Sequence, residues 1–361
     1  MQPEKLRNKI LRWIGRAPRS EHSTPARGKG PVTHVIILDG TMSTMVPGWE
    51  TNAGMTYRLL QEVGYPLALY YEAGVQFQSW RRAPDVLMGR GINRQIRRAY
   101  GYLASRYRPG DKIFLIGYSR GAFAVRSLAG VIDTVGLLKP EAATVRNVRQ
   151  AYRLYQADER PFETDDFKQT FCHERVEIEM IGVWDTVKAL GVRLPLIWQF
   201  FEQKHRFHNH QLGASVKKAF HAIALDETRE AFSPVMWETT AEHDGRIVQM
   251  WFRGAHGDIG GMLGDYMPAR LLSNIPLIWM LEQAEACGLP LPKNWTIRYP
   301  TDPDAPSVGT WRGWGKMFLI RKRRRVGGDA SERTHPSVSK YDYALRQKPS
   351  LIGRFWRASA S

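Results

Sequence analysis

Short apolar runs recur along the chain, each ending in a polar or small residue and most followed by a segment with helical spacing. His34-Val35-Ile36-Ile37-Leu38 comes first and ends at Asp39-Gly40-Thr41. Pro66 to Tyr71 and Ile113 to Ile116 follow, then Val176 to Trp184 ending at Asp185, and Phe220 to Leu225 ending at Asp226. The last, Ile247 to Phe252, stops just before Gly254-Ala255-His256-Gly257-Asp258. Runs this short and this uniformly apolar predict strands covered on both faces, as in a parallel sheet. Between them, residues 52–63, 90–106, 120–131 and 276–287 predict helices. The alternation predicts an α/β protein of the α/β-hydrolase kind, with a mostly parallel central sheet flanked by helices.

The punctuation of the pattern suggests an organisation. Residues 1–30 read as a basic amphipathic helix followed by a linker rich in Gly, Pro, Ser, Thr and Arg, the linker extending over about 15–31. Residues 31–345 read as the hydrolase-like body, with a charged helical insertion at 138–175 and a basic, Trp-rich cap at 290–335. Residues 346–361 read as a polar tail.

Candidate chemistry sits where strands end, because functional groups in an open parallel sheet gather at the carboxyl ends of its strands. The run Asp111 to Ile116 leads into Gly117-Tyr118-Ser119-Arg120-Gly121 and then a helix. A strand entering Gly-x-Ser-x-Gly and leaving as a helix makes a nucleophile elbow, a turn so tight that its flanking positions exclude side chains. Serine is a weak nucleophile until a neutral imidazole takes its proton, and the imidazole in turn needs a carboxylate to orient it. Ser119 is therefore the candidate nucleophile, His256 the candidate base and Asp185 the candidate acid, in the chain order Ser, Asp, His. Asp226 also ends a strand and is the rival acid, although Asp226-Glu227-Thr228-Arg229 could instead anchor a structural ion pair. His221 falls near the start of its run and so belongs to the wrong end of the sheet. An oxyanion would be held by backbone N–H groups of Arg120 and of the Gly40-Thr41 loop. Asp39 suits an Asx-type turn at least as well as a catalytic role.

Composition narrows the partners. The chain has a formal net charge of +17 and a pI near 10.0. One cationic concentration spans Lys5 to Arg16, where Leu6, Ile10, Trp13 and Ile14 share a helical face. The other spans Trp311 to Arg325 and offers Trp311, Trp314, Arg321, Lys322, Arg323, Arg324 and Arg325 as candidates for contact with an anionic membrane surface. A solvated face without a partner fits these runs too; nucleic acid fits less well, since no nucleic-acid-binding motif accompanies them. Cys172 and Cys287 are the two cysteines, far apart and without zinc-ligand spacing. His205, His208 and His210 lack accompanying carboxylates, so neither a metal nor a cofactor is expected. No signal peptide or spanning segment is recognised, which points to a cytoplasmic protein, peripheral on the membrane at most, and leaves secretion by a route without a cleaved signal open.

Several blocks, in order, resemble the DUF2235 family of α/β hydrolases, which includes phospholipase effectors of the Tle1 type delivered by bacterial type VI secretion. They are Leu38-Asp39-Gly40-Thr41, the stretch from Tyr107 through Gly117-Tyr118-Ser119-Arg120-Gly121-Ala122-Phe123 to Gly130, Val183-Trp184-Asp185-Thr186-Val187, His221 to Glu227, and Gly254-Ala255-His256-Gly257-Asp258-Ile259-Gly260-Gly261. The resemblance implies Ser119 as nucleophile, Asp185 as acid and His256 as base. Thr41-Met42-Ser43 and Gly257 depart from the family's usual residues at those places. The function expected is hydrolysis of a carboxylic ester, foremost a phospholipid acyl ester, through an acyl-enzyme on Ser119. A soluble carboxylesterase or thioesterase is the nearest alternative, and a non-catalytic membrane or nucleic-acid binder on a hydrolase scaffold the alternative of another class.

Overall fold

The computed structural model of the protein describes residues 20–23, 30–74, 90–157, 161–187, 211–239, 245–312, 315–316 and 318–338. Its centre is a sheet of eight strands: β1 (Ser20–Ser23), β2 (Thr33–Leu38), β3 (Leu67–Glu72), β4 (Lys112–Tyr118), β5 (Ile178–Trp184), β6 (Val216–Ala224), β7 (Ile247–Phe252) and β8 (Glu332–Thr334). They lie in the order β1-β3-β2-β4-β5-β6-β7-β8; β2 to β8 run parallel to one another, and the edge strand β1 is antiparallel to β3. The helices are α1 (Asn52–Gln61), α2 (Arg90–Ala104), α3 (Arg120–Thr134), α4 (Val145–Ala157), α5 (Pro161–Phe171), α6 (His256–Gly260) and α7 (Arg270–Ala286).

Alternate strand residues point into two different cores. Ile36, Leu38, Ile113 and Leu115 pack under α2, α3 and α4, while Val35, Ile37, Phe114 and Ile116 pack under α1 and α7. Both faces of the strands are thus buried, which is why they read as continuous apolar runs and not as alternations. Residues 138–175 are occupied by a short turn at Pro140–Ala142 and by α4 and α5, with Val148, Ala151 and Tyr155 of α4 reaching the core shared with α2 and α3.

Three features differ from the sequence reading. Ser20–Ser23, read as linker, forms the edge strand β1, antiparallel to β3 with Ser20 opposite Glu72 and Ser23 opposite Leu69. The outer edge of a strand can be paired by any extended backbone, so Ser-Glu-His-Ser needs no apolar signature. Helix α7 begins at Arg270, not at Pro276, and carries that proline in its interior. Burial of Leu272, Ile275, Leu277, Met280 and Leu281 against the sheet outweighs the lost helical hydrogen bond. Finally, the stretch read as a cap ends inside the sheet, as β8. Gln249 N donates to Ser331 O at 3.0 Å and Trp251 Nε1 to Glu332 Oε2 at 2.7 Å, pinning three polar residues that carry no strand pattern of their own. The basic helix read at the N-terminus and the tail at 346–361 lie outside the described residues.

The strand order reverses direction at β2, with β3 on one side and β4 on the other. The crevice beyond the carboxyl ends of β2 and β4 is therefore the topological switch point, the preferred place for a ligand in an open α/β sheet.

Candidate active site

Ser119 follows β4 directly, and its backbone is strained, at φ 57° and ψ −121°. Only sparse regions of conformational space accept a non-glycine residue at positive φ, and surrounding packing must enforce it. The neighbours do so. A Cβ on Gly121 would lie 2.0 Å from Leu38 O, one on Gly117 would lie 2.7 Å from Ala122 Cα, and Ser119 N is tied to Trp184 O at 3.0 Å. The helix follows at Arg120, so the serine stands at the carboxyl end of the central strand β4, 7% exposed.

Asp185 leaves the neighbouring strand at the same level, because Tyr118 and Trp184 are paired in register. It too has positive φ, 40°, a conformation aspartate tolerates better than most residues. His256 arrives from the other side of β6 as the first residue of α6. Its Nδ1 lies 2.6 Å from Asp185 Oδ2 and its Nε2 lies 2.9 Å from Ser119 Oγ. Asp185, fully buried and ionised, can only accept; Nδ1 therefore carries the proton and Nε2 is left to accept from the serine hydroxyl. The ring is held in place by Tyr118, 4.9 Å away between centroids and donating its hydroxyl to His256 O, and by the edge of Phe232 at 4.9 Å. Glu227 Oε2 accepts from His256 N at 3.1 Å, and Glu227 is itself paired to Arg229.

Arg324 changes the picture most. The sequence reading places it with Arg321, Lys322, Arg323 and Arg325 on a membrane-facing surface, but its side chain is 5% exposed and grips Asp185 with both terminal nitrogens, Nη1 to Oδ1 at 2.5 Å and Nη2 to Oδ2 at 3.0 Å. The same nitrogens donate to Ala224 O and Phe232 O. Burial alone would raise the Asp185 carboxyl; Arg324 and His256 more than offset it and hold it well below the ordinary carboxylate range. Arg321 is likewise turned inward, stacked over Trp311 at 3.9 Å and bonded to Thr310 O and Gly315 O. In the strap of residues 318–325, Lys322 N donates to Thr228 O and Glu230 N to Ile320 O, an antiparallel bridge that sets Arg321 opposite Arg229, while Arg324, three residues on, is held inward by its bonds to Asp185, Ala224 O and Phe232 O. Lys322, Arg323 and Arg325 stay exposed, as does Trp311 at 59%; Trp314 lies outside the described residues.

The loop after β2 approaches the serine from the opposite side. A Cβ on Gly40 would come 2.8 Å from the Tyr118 ring and 3.3 Å from Ser119 Cβ, so only glycine brings the backbone this close. Its N–H, however, does not serve as the sequence reading assigns it, since it donates to Asp39 Oδ1 at 2.6 Å. Asp39 is buried and also accepts from Thr51 Oγ1 at 2.6 Å and Tyr71 Oη at 2.7 Å, with burial pushing its carboxyl up. Thr51 in turn caps α1 by accepting from Gly54 N. Asp39 thus organises the loop, while Thr41 follows Gly40 in that loop and Arg120 follows Ser119 at the start of α3.

The imidazole's Nδ1 is partnered by Asp185, whereas Asp226 accepts from Gly254 N at 2.6 Å and so fixes the turn that leads to His256. His221 lies in the middle of β6 and not at its start, because the strand extends back to Val216 through residues too polar to read as sheet. Fully buried, it accepts from Thr186 N at 3.1 Å, and burial holds it at about 3, neutral at any ordinary pH. Among the described residues, no group of three or more His, Cys, Asp and Glu side chains could hold a metal ion; His205, His208 and His210 lie outside them.

A parallel sheet with a serine elbow beyond β4 and a histidine beyond β7 defines an α/β-hydrolase fold. More narrowly, the family described as type VI secretion phospholipase effector Tle1-like, catalytic domain, matches residues 33–283, and the chain belongs to it. An uncharacterised protein of Saccharomyces cerevisiae is 28% identical over 223 residues, which are 55% of this chain and 31% of that protein. Among solved structures, an uncharacterised protein from Pseudomonas aeruginosa superposes with a TM-score of 0.44 at 16% identity, covering 84% of this chain and 52% of the other. A Tle1 effector bound to the VgrG spike of the type VI secretion system gives 0.39 at 18% identity, over 66% of this chain and 52% of that one. Thermogutta terrifontis esterase 2 gives 0.40 at 14% identity, over 76% and 91%. The chain spans about a third of the yeast relative and half of the Pseudomonas structure.

Proposed function

We propose that the protein is a serine hydrolase that cleaves carboxylic esters, with phospholipid acyl esters as substrate, through an acyl-enzyme on Ser119. The observation that carries this reading is the unbroken chain of hydrogen bonds from Ser119 Oγ through His256 to Asp185, seated on a strained elbow. In the reaction, His256 Nε2 takes the hydroxyl proton as Ser119 Oγ attacks the ester carbonyl carbon. The negative charge that develops on the carbonyl oxygen is held by backbone N–H groups of Arg120 and Thr41, and Asp185 stabilises the imidazolium. His256 then protonates the leaving alkoxide, and water repeats the sequence to release the acid.

Family membership supports a lipid substrate. The rim of the site supports it further. Leu319 and Ile320 are 80% and 61% exposed beside Trp311, Lys322, Arg323 and Arg325, and Phe318 of the same strap packs on Phe232, which touches His256. Exposed aliphatic and aromatic groups ringed by cations suit an anionic bilayer better than a small dissolved ester. Among the described residues no helix is long and apolar enough to cross a membrane.

Ser119→Ala tests the reading. It is expected to lower ester hydrolysis at least about 1,000-fold and to abolish labelling by a fluorophosphonate, while the thermal midpoint stays within a few degrees of wild type. Undiminished hydrolysis or labelling in that variant would exclude Ser119 as nucleophile. Comparing anionic phospholipid vesicles with a short soluble ester separates a lipase from a general esterase.

A further inference from the structure

Asp185 carries a second partner that the relay of serine, histidine and aspartate does not require. Each of its oxygens is doubly engaged: Oδ1 takes Ala224 N at 3.0 Å and Arg324 Nη1, and Oδ2 takes His256 Nδ1 and Arg324 Nη2. A bidentate guanidinium fixes the plane of a carboxylate as a single donor cannot. It also adds a positive charge beside the negative one that would otherwise stabilise the imidazolium alone.

We propose that Arg324 is a positioning residue of this site: it locks the Asp185 carboxylate toward His256 and, by offsetting its charge, sets how far that carboxylate stabilises the imidazolium formed when His256 takes the Ser119 proton. The inference rests on the relay proposed for ester hydrolysis. The other charged or titratable groups around the pair are already matched. Glu227, beside His256 N, is neutralised by Arg229; Asp226 is held by Gly254 N, and Asp258 of α6 by Ala255 N, Ser307 and Val308. His221 is neutral beneath Thr186, Arg126 of α3 is spent on the carbonyls of Val235 and Met236, and Asp39 faces Thr51 and Tyr71 across Tyr118. Among the described residues, Arg324 is thus the permanent cation bonded to Asp185.

The geometry also explains how a residue 139 positions away is delivered. Glu230 N to Ile320 O and Lys322 N to Thr228 O fasten the strap on one side of Arg324 to the segment after β6, and Phe318 against Phe232 anchors it near the histidine. The strap that carries exposed Leu319 and Ile320 therefore also carries the group that holds the acid.

The test is the pH dependence of kcat/KM on a short ester with Arg324→Met and Arg324→Lys, each checked for a cooperative thermal transition. Arg324→Met is expected to move the acid limb up by roughly one pH unit, the size expected for one nearby charge removed, and Arg324→Lys to return it most of the way. A folded Arg324→Met with a profile that superimposes on wild type overturns the inference. If Arg324→Met does not fold, the fork is judged on Arg324→Lys: kcat lowered about tenfold with KM held supports positioning, and wild-type kcat overturns it. If the wild-type protein hydrolyses no ester and takes up no fluorophosphonate, the relay itself fails, which is a different result from an unmoved acid limb.

Discussion

The elbow around Ser119 and the strap around Arg324 reach the same aspartate–histidine pair by opposite routes. The elbow is built within a dozen residues: an apolar strand, two glycines that cannot carry a Cβ, and a helix that follows at once. The strap is held by partners that lie 85 or more positions away in the chain, at Thr228, Glu230, Phe232, Ala224 and Asp185. Local steric rules make the elbow, whereas the strap's inward and outward faces exist only because a distant segment pairs with it. Two cations in the same run, Arg323 and Arg324, consequently have opposite fates, one in solvent and one buried on a carboxylate.

The sharpest way to break this contrast is to exchange the two candidate acids. Asp185→Asn is expected to lower kcat about 10,000-fold, since the amide favours the wrong tautomer of His256, and Asp226→Asn less than tenfold. Equal losses measured on one ester would mean that the turn at Gly254 matters as much as the carboxylate on the imidazole. Within the elbow, Gly121→Ala is expected to cost about 3 kcal/mol in urea unfolding, because its Cβ meets Leu38 O at 2.0 Å. An unchanged midpoint would show that the turn is looser than its sterics imply.

Acid stability probes the supports behind Asp185. His221 is held down to about 3, so the unfolded chain takes up a proton below about pH 6.5 that the folded chain refuses until far lower. Its contribution is present in full above that pH and is lost as pH falls, by about 2–3 kcal/mol between pH 7 and pH 4.5. His221→Gln, followed by denaturant unfolding at both pH values, is expected to flatten this slope; an unaltered slope would assign it to other groups. The smallest effect belongs to the strap's outer face. Replacing Lys322, Arg323 and Arg325 by Gln is expected to weaken binding to anionic vesicles by about 1 kcal/mol per charge at low salt and to leave soluble-ester hydrolysis unchanged. Vesicle affinity that ignores both the substitutions and the salt would remove this rim as the membrane contact.

Much of the fold could be read in advance because burial on both faces writes itself into sequence as unbroken apolar runs. β7 matches its run of Ile247 to Phe252 at both ends, β2 begins one residue before its run, and β3 is shifted by one residue. β1 and β8 could not be read, since pairing with a neighbouring strand and not an apolar pattern makes them, and α7 hid its start because proline resembles a first helical residue. At the site, Ser119, Asp185 and His256 stand out in the sequence because each ends or follows a strand, and the structure brings them within hydrogen-bond distance of one another. Glu227, Tyr118 and Phe232, which hold the imidazole, carry no local sign of doing so, and nothing in Arg321-Lys322-Arg323-Arg324-Arg325 distinguishes the fourth member from the rest.

By itself, the sequence determined the parallel α/β sheet and the place of the serine, because strand burial and a tight glycine-flanked turn depend on neighbours in the chain. Tertiary structure alone decided which aspartate faces the histidine, that the Gly40 amide is claimed by Asp39, and that Arg324 turns inward to Asp185. Those choices follow from hydrogen bonds and charges between segments far apart in sequence, whose energies depend on distance in space and leave no periodic trace along the chain.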